Sequence, residues 1–243
     1  MDFPKTNHFD VDLVRSKIMG PNTCKLTEEL MDGAAAAGLA PAPGSVVLDL
    51  GSGCGISSVM LAREYGLITY AADLWSDPSD NMGFFRSLGL TARQVIPVKA
   101  DATALPFAHG FFDACVSVDS YNYFGRDPQF LDSCLLPFLV PGATIHLAIP
   151  GMVRDCHDAL PACLLASWTP EQLDYMHDMD SWGALFAKSA GAELLDIHEM
   201  ACTAEAWADW LECDNPYARN DRPAIESGGL EYLNTIAVTL RKR

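Results

Sequence analysis

Two periods of apolar and polar positions alternate along most of this chain. Short apolar runs at residues 46–50, 67–72, 94–98, 112–118, 143–149, 193–200 and 232–240 read as strands. Between them, apolar residues recur at helical spacing over 26–39, 56–65, 80–89, 128–139, 181–190 and 203–213. Turn signals separate the runs: Pro41, Pro43 and Gly44 precede the first strand, and the pair Pro141-Gly142 precedes the fifth. Strands alternating with helices at this spacing predict an α/β fold with a parallel, doubly wound sheet. The length suits a single domain over 1–243.

Two stretches break the pattern. Residues 1–25 are polar and read as irregular, with a turn at Gly20-Pro21-Asn22. With the helix that follows they form an N-terminal arm, 1–40, that is a candidate lid. Residues 151–181 are too long for an ordinary connection and read as an insertion near a substrate site, with a helix expected near 170–178 behind Thr169-Pro170-Glu171.

Composition narrows the partners. A formal charge of −16 argues against a nucleic-acid partner, because such affinity rests on Lys and Arg neutralising phosphates. No run is long and apolar enough for a membrane span, and no charged-then-apolar leader is expected at the start. Eight cysteines without a single CxxC read as buried free thiols, which fits a cytoplasmic protein. Asp155, Cys156 and His157, with Cys163 and His177 downstream, match no ordinary zinc spacing, so no metal is expected. Trp168, Trp182, Trp207 and Trp210 could wall a pocket, but the spacing of Trp207 and Trp210 favours core, and His146 on the fifth strand reads as a buried structural histidine.

The chemistry concentrates where the first strand ends, in VVLDLGSGCG at 46–55. A strand that breaks into glycines and reopens as a helix is a common nucleotide-binding device, offering close backbone approach and helix N-terminal N–H groups. A dinucleotide site wants G-x-G-x-x-G, whereas here the third glycine comes one residue early and Asp49 stands two residues before Gly51. An acid is awkward beside a pyrophosphate and suits an ammonium or sulfonium ligand. Asp73, 22 residues beyond Gly51, is placed to bind ribose hydroxyls, and Asp101 ends the third strand where it could accept from an adenine amino group. Three carboxylates at consecutive strand ends select a cationic nucleoside over a diphosphate.

These segments resemble the class I S-adenosylmethionine-dependent methyltransferases, of a small-molecule, bacterial type. VVLDLGSGCG, the AAD ending at Asp73, KADATALPF around Asp101 and FFDACVSVDSYNYF around Asp119 correspond to four family motifs in order, covering roughly residues 40–150. The resemblance implies a Rossmann-like seven-stranded sheet with an antiparallel last strand and helices on both faces. It implies S-adenosylmethionine as cofactor, with S-adenosylhomocysteine as product. Gly51, Ser52, Gly53 and Gly55 would line its methionine portion, Asp73 and Leu74 the ribose, and Asp101 and Ala102 the adenine, with Asp49 and Asp119 also on the cofactor. Tyr121, Asn122, Tyr123 and Met19 are the candidate acceptor contacts, with Tyr121 and Tyr123 the candidate catalytic groups. The expected reaction moves a methyl group to O, N or S of a small molecule. A nicotinamide-dependent oxidoreductase and a non-catalytic cofactor-binding protein are the alternatives. The methyl acceptor and the oligomeric state are not legible.

Overall fold

The structure, a computed structural model, describes residues 2–243. Its centre is a mixed sheet in the order β3-β2-β1-β4-β5-β8-β7. The strands are β1 (Val46–Leu50), β2 (Ile68–Asp73), β3 (Val95–Lys99), β4 (Phe112–Val118), β5 (Leu139–Met152), β6 (His177–Asp178), β7 (Ala192–Glu199) and β8 (Leu233–Lys242). β1 to β5 run parallel, and β8 pairs antiparallel with both β5 and β7. This is the expected seven-stranded arrangement with one addition, the two-residue β6 at the end of β5.

The helices are α1 (Val11–Lys17), α2 (Thr23–Ala36), α3 (Ile56–Glu64), α4 (Pro78–Ser87), α5 (Tyr121–Phe124), α6 (Pro170–Leu173), α7 (Met179–Phe186), α8 (Thr203–Leu211) and α9 (Pro216–Glu226). Apolar residues from the parallel strands pack on helices of both faces. One core gathers Leu48, Leu50, Phe112, Tyr121 and Trp182, and others gather Val59, Met60 and Phe85, and Leu26, Val47 and Leu61.

Several segments depart from the sequence expectation. The arm is not irregular: Asp10 caps α1 by accepting from Leu13 N at 2.9 Å, and Val14 and Ile18 are buried. The helix expected at 128–139 is a π turn (Leu131–Leu135) followed by a 3-10 turn (Leu136–Phe138). Pro137 has no N–H to continue an α-helical ladder, which accounts for the change of winding. β5 starts at Leu139, before Pro141-Gly142, because the strand absorbs that pair where its register against β4 shifts. The helix near 170–178 is only the single turn α6, and α7 begins at Met179 behind an Asp178 cap. α9 was hidden by its two prolines; Asn215 caps it from Ala218 N, and Pro216 sits at its first turn.

The arm is fastened by two adjacent acids of α2. Buried Glu28 accepts from Lys5 N (2.9 Å), Thr6 N (2.7 Å) and Thr6 Oγ1 (2.7 Å). Glu29 accepts from Ala201 N and Cys202 N at 2.7 and 2.8 Å, linking the same helix to the start of α8. Glu28→Ala strips the partners from buried donors and is expected to lower stability by about 2 kcal/mol. Urea denaturation checks it; a loss below about 0.5 kcal/mol would mean that the arm is held by its apolar contacts alone.

Candidate active site

In a doubly wound sheet the crevice opens where the strand order reverses, here between the carboxyl ends of β1 and β4. The turn from β1 into α3 occupies that point. Gly51 and Gly55 have φ of +77° and +81°. A Cβ at Gly51 would stand 2.2 Å from Ser120 Oγ, and one at Gly55 would stand 2.5 Å from the Phe85 ring. Left-handed backbone and lack of space together demand glycine there.

The turn is closed by its own hydrogen bonds. Gly51 N and Ser52 N donate to Ala72 O at 2.8 and 3.2 Å, and Gly55 N donates to Ser52 O at 2.8 Å. Gly53 N donates to Asp73 Oδ2 at 3.0 Å, and Asn81 Nδ2 donates to Gly53 O at 2.9 Å. On the other side Ser117 Oγ and Ser120 Oγ donate to Leu50 O at 2.8 and 3.0 Å. The four amides that the sequence suggested for a ligand are therefore already engaged.

Beneath the turn, Asp49 is 1% exposed and its Oδ2 accepts from Ser57 Oγ (2.6 Å) and Ser58 Oγ (2.5 Å). Burial raises its pKa to about 6, the two hydroxyls pulling it back and Asp73 adding to the rise. Asp49 supports the turn and does not line the cavity, which corrects its expected cofactor contact. Its place on β1 decides this: the side chain faces the start of α3.

The cavity takes in Gly51, Ser52, Gly53 and Cys54 of the turn, Val118 and Asp119 at the end of β4, and Lys17, Met19 and Thr23 of the arm. Of the expected residues it thus unites Gly51, Ser52, Gly53, Asp119 and Met19, whose Sδ would lie 3.6 Å from a Cβ on Gly53. Ser52 Oγ is buried without a partner among the described residues. Asp73 sits half-buried at the end of β2, its Oδ1 accepting from Trp75 N (2.8 Å) and Ser76 N (2.7 Å). With Gly53 N on Oδ2, one lone-pair direction of this carboxylate remains for a ligand hydroxyl. Leu74 and Trp75 follow it, 41% and 85% exposed. Asp101 is exposed, held below the usual carboxylate range by the Thr103 N–H and hydroxyl, and Ala102 beside it is half-buried.

The four expected site residues that follow β4, Asp119, Tyr121, Asn122 and Tyr123, part company. Asp119 has φ of +58°, and its carboxylate lies so close to the arm that a Cβ on Gly20 would be 2.0 Å from Oδ2. Burial first, then Asp221, raises its pKa to about 7. Tyr121 is wholly buried among Phe124, Phe130, Trp182 and Phe186. It is a core residue, so neither catalysis nor acceptor contact falls to it. Asn122 is buried too, its Oδ1 unpartnered among the described residues. Tyr123 faces outward, 64% exposed, with its ring 5.4 Å from that of Tyr175.

Residues that sequence reasoning missed surround these. Lys17 and Thr23 line the cavity from helices with no chemical motif. Asp221 of α9 accepts from Trp168 Nε1 (3.0 Å) and Trp210 Nε1 (2.9 Å), so two of the tryptophans noted in the sequence serve an acid rather than a pocket wall. Trp182, Trp207 and Trp210 are core. His146 is buried against Thr144 and Thr239, with its pKa lowered by burial to about 4, as a structural histidine should be. His157 pairs with Asp155 at 2.6 Å, and no group of three metal-ligating side chains converges among the described residues.

Comparison with known proteins agrees with this geometry. Residues 48–139, from β1 to the start of β5, match the family described as a methyltransferase domain. No curated protein matches the sequence. Among solved structures, geranyl diphosphate C-methyltransferase from Streptomyces coelicolor A3(2) is 18% identical over 90% of this chain and 78% of its own, with a TM-score of 0.69. Phosphoethanolamine N-methyltransferase 2 from Haemonchus contortus is 18% identical over 98% of this chain and 57% of its own, with a TM-score of 0.70. The [4+2]-cyclase SpnF is 19% identical over 90% of this chain and 80% of its own, with a TM-score of 0.64. At such identities these neighbours establish the fold alone, and a cyclase among them shows that the fold does not fix the reaction.

Asp49 and Asp119 bind protons more tightly folded than unfolded, so their contribution to stability falls as pH rises from about 4 to about 7 and is level above. Asp119→Asn, which also suits the left-handed backbone, is expected to gain more than about 1 kcal/mol over the natural protein at pH 8 and nothing at pH 4. Denaturation midpoints at the two pH values test this; equal gains at both would place Asp119 in water.

Proposed function

We propose that this enzyme transfers the methyl group of S-adenosylmethionine to a nitrogen, oxygen or sulfur atom of a small molecule, with S-adenosylhomocysteine as product. The observation that carries the reading is the closed turn. A pyrophosphate needs free backbone N–H groups at the glycines, and here Gly51, Ser52, Gly53 and Gly55 donate within the protein. A cofactor with no phosphate loses nothing by that. What the cavity offers instead is the unpartnered Ser52 hydroxyl and the Asp119 carboxylate, which fit a cationic ligand.

In this reading Gly51 to Gly53 face the methionine portion, the free lone pair of Asp73 takes a ribose hydroxyl, and Leu74, Trp75, Asp101 and Ala102 form the adenine rim. The bound cofactor supplies a carbon already activated by its sulfonium. The protein then has to align the acceptor and exclude water. The arm does the second task, with Met19 over Gly53 and Gly20 against Asp119, and acts as a lid. Tyr123 and Tyr175 mark the acceptor entrance, so the 151–181 segment caps that side. The free thiols and the absence of a long apolar helix among the described residues go with a cytoplasmic location.

Calorimetric titration with S-adenosylmethionine tests the cofactor; folded protein that takes up none would end the proposal. Asp73→Ala is expected to weaken that binding by about tenfold or more, the effect of losing a hydrogen bond to a charged group. Unchanged affinity would move the ribose elsewhere. Incubation with methyl-labelled cofactor and a panel of amines, phenols and thiols tests transfer.

A further inference from the structure

The end of α6 is gripped from two sides. α6 is a single turn, so its last carbonyls need partners from outside the helix. Arg126 supplies one grip, its Nη1 donating to Asp174 O at 3.1 Å and to Asp174 Oδ2 at 2.7 Å. His157, in the 3-10 turn His157–Ala159, supplies the other. Its Nε2 lies 3.2 Å from Leu173 O, which also accepts from Met176 N at 2.9 Å. The same ring puts Nδ1 2.6 Å from Asp155 Oδ1, an oxygen that accepts from His157 N as well, at 2.9 Å.

A neutral imidazole has one N–H and one lone pair. Here both ring nitrogens face acceptors. One is a carbonyl, which cannot donate, and the other is a carboxylate held below its usual range by the His157 backbone N–H and then by the ring. Only the imidazolium makes both contacts at once. Its surroundings favour that charge: Asp155 precedes it, Asp174 faces it from the end of α6, and His177 of β6 lies with its ring 5.7 Å away. Arg126, the cation nearby, is paired with Asp174. Burial works against charge on His157, but Asp155 and the Leu173 carbonyl outweigh it and raise its pKa above the ordinary histidine value. His177 goes the other way. Its ring packs against that of Trp182 at 5.8 Å, and burial, then His157 and Arg126, lower its pKa. Of two adjacent imidazoles, one is built to be charged and the other neutral.

The gripped segment carries Tyr175. Leu173 is wholly buried, and Tyr175, two residues on, meets Tyr123 at 5.4 Å and takes Arg126 on its face at 4.1 Å. We propose that His157 is a proton-operated latch on the 151–181 cap: the imidazolium pins the end of α6, and with it Tyr175 against Tyr123, and the neutral ring lets go of one of its two acceptors. A histidine whose folded pKa is raised stabilises the closed arrangement at low pH and withdraws that support as pH rises through the folded value. Arg126 keeps its charge throughout, so the cap loosens without detaching. That the segment covers an acceptor rests on the reading above, whereas the latch is a property of the protein without ligands.

The test is an NMR titration of the full chain without ligands. Both His157 ring nitrogens are expected to be protonated at about pH 6, and the ring to titrate above His177 and above free histidine. The Asp174 and Met176 amides donate to Pro170 O and Leu173 O, so their hydrogen exchange reports release of this segment. Corrected for the intrinsic pH dependence of exchange, it is expected to accelerate by about threefold or more in step with His157. His157→Phe keeps a ring and removes both N–H groups, so exchange is expected to be fast already at about pH 6, with no step. Asp155→Asn is expected to move the step to lower pH. A His157 that titrates at or below the free value, no step in the natural protein, or a step unmoved in both variants overturns the proposal. If His157→Phe does not fold, the ring titration and Asp155→Asn decide. No cofactor enters these measurements, so a protein that binds no S-adenosylmethionine leaves the latch standing, and a failed latch leaves the cofactor reading standing.

Discussion

The site depends on one constraint: the backbone between β1 and α3 must be satisfied from within while staying open on one side. Ala72 O, Asp73 Oδ2 and Ser52 O take up the turn's amides, and two serine hydroxyls take up Leu50 O. Each of these partners sits at the end of a neighbouring strand or in the turn itself. The parallel register of β1 with β2 and β4 therefore sets the turn's shape directly. Asp49 completes the arrangement from below, tying the strand to the first turn of α3 through Ser57 and Ser58. A buried acid is costly unless hydrogen-bonded, and the paired hydroxyls meet that cost at the place where the turn needs an anchor.

The arm extends the same logic outward. Acids of α2 grip backbone amides at Lys5, Thr6, Ala201 and Cys202, so the segment carrying Met19 and Gly20 is held from both ends of the chain. Asn22 N also donates to Ala206 O at 2.9 Å. The cover over the cavity is consequently coupled to α8 and, through Trp210 and Asp221, to α9.

The parallel strands were legible because buried strands are short apolar runs between turn residues, and the ends of those strands fix where a crevice forms. Strand parity explains the error at Asp49: alternate side chains face opposite ways, and Asp49 points to α3 while its neighbours Leu48 and Leu50 enter the core. Tyr121 and Tyr123 look equivalent in sequence, but the helical turn Tyr121–Phe124 sends one inward and the other out. Asp221 carried no local signal at all. Its significance comes from two tryptophans, 53 and 11 residues away, that reach it only after folding. α1 and α9 escaped notice because polar residues and prolines mask short helices whose stability comes from packing and caps.

The position of β8 has a consequence for how the molecule assembles. β7 touches the rest of the sheet only through β8, which lies between it and β5 in antiparallel register. The parallel strands can join in chain order through local crossovers, whereas β7 must wait for a strand formed later in sequence to be inserted beside β5. That insertion closes a long loop before its ladder is rewarded, the kind of non-local step that slows folding. Until it happens β5 presents an open edge, and Thr203 at the start of α8 lacks the Thr235 N–H from which its hydroxyl accepts. Seating of α8 is thus tied to the last ladder to close.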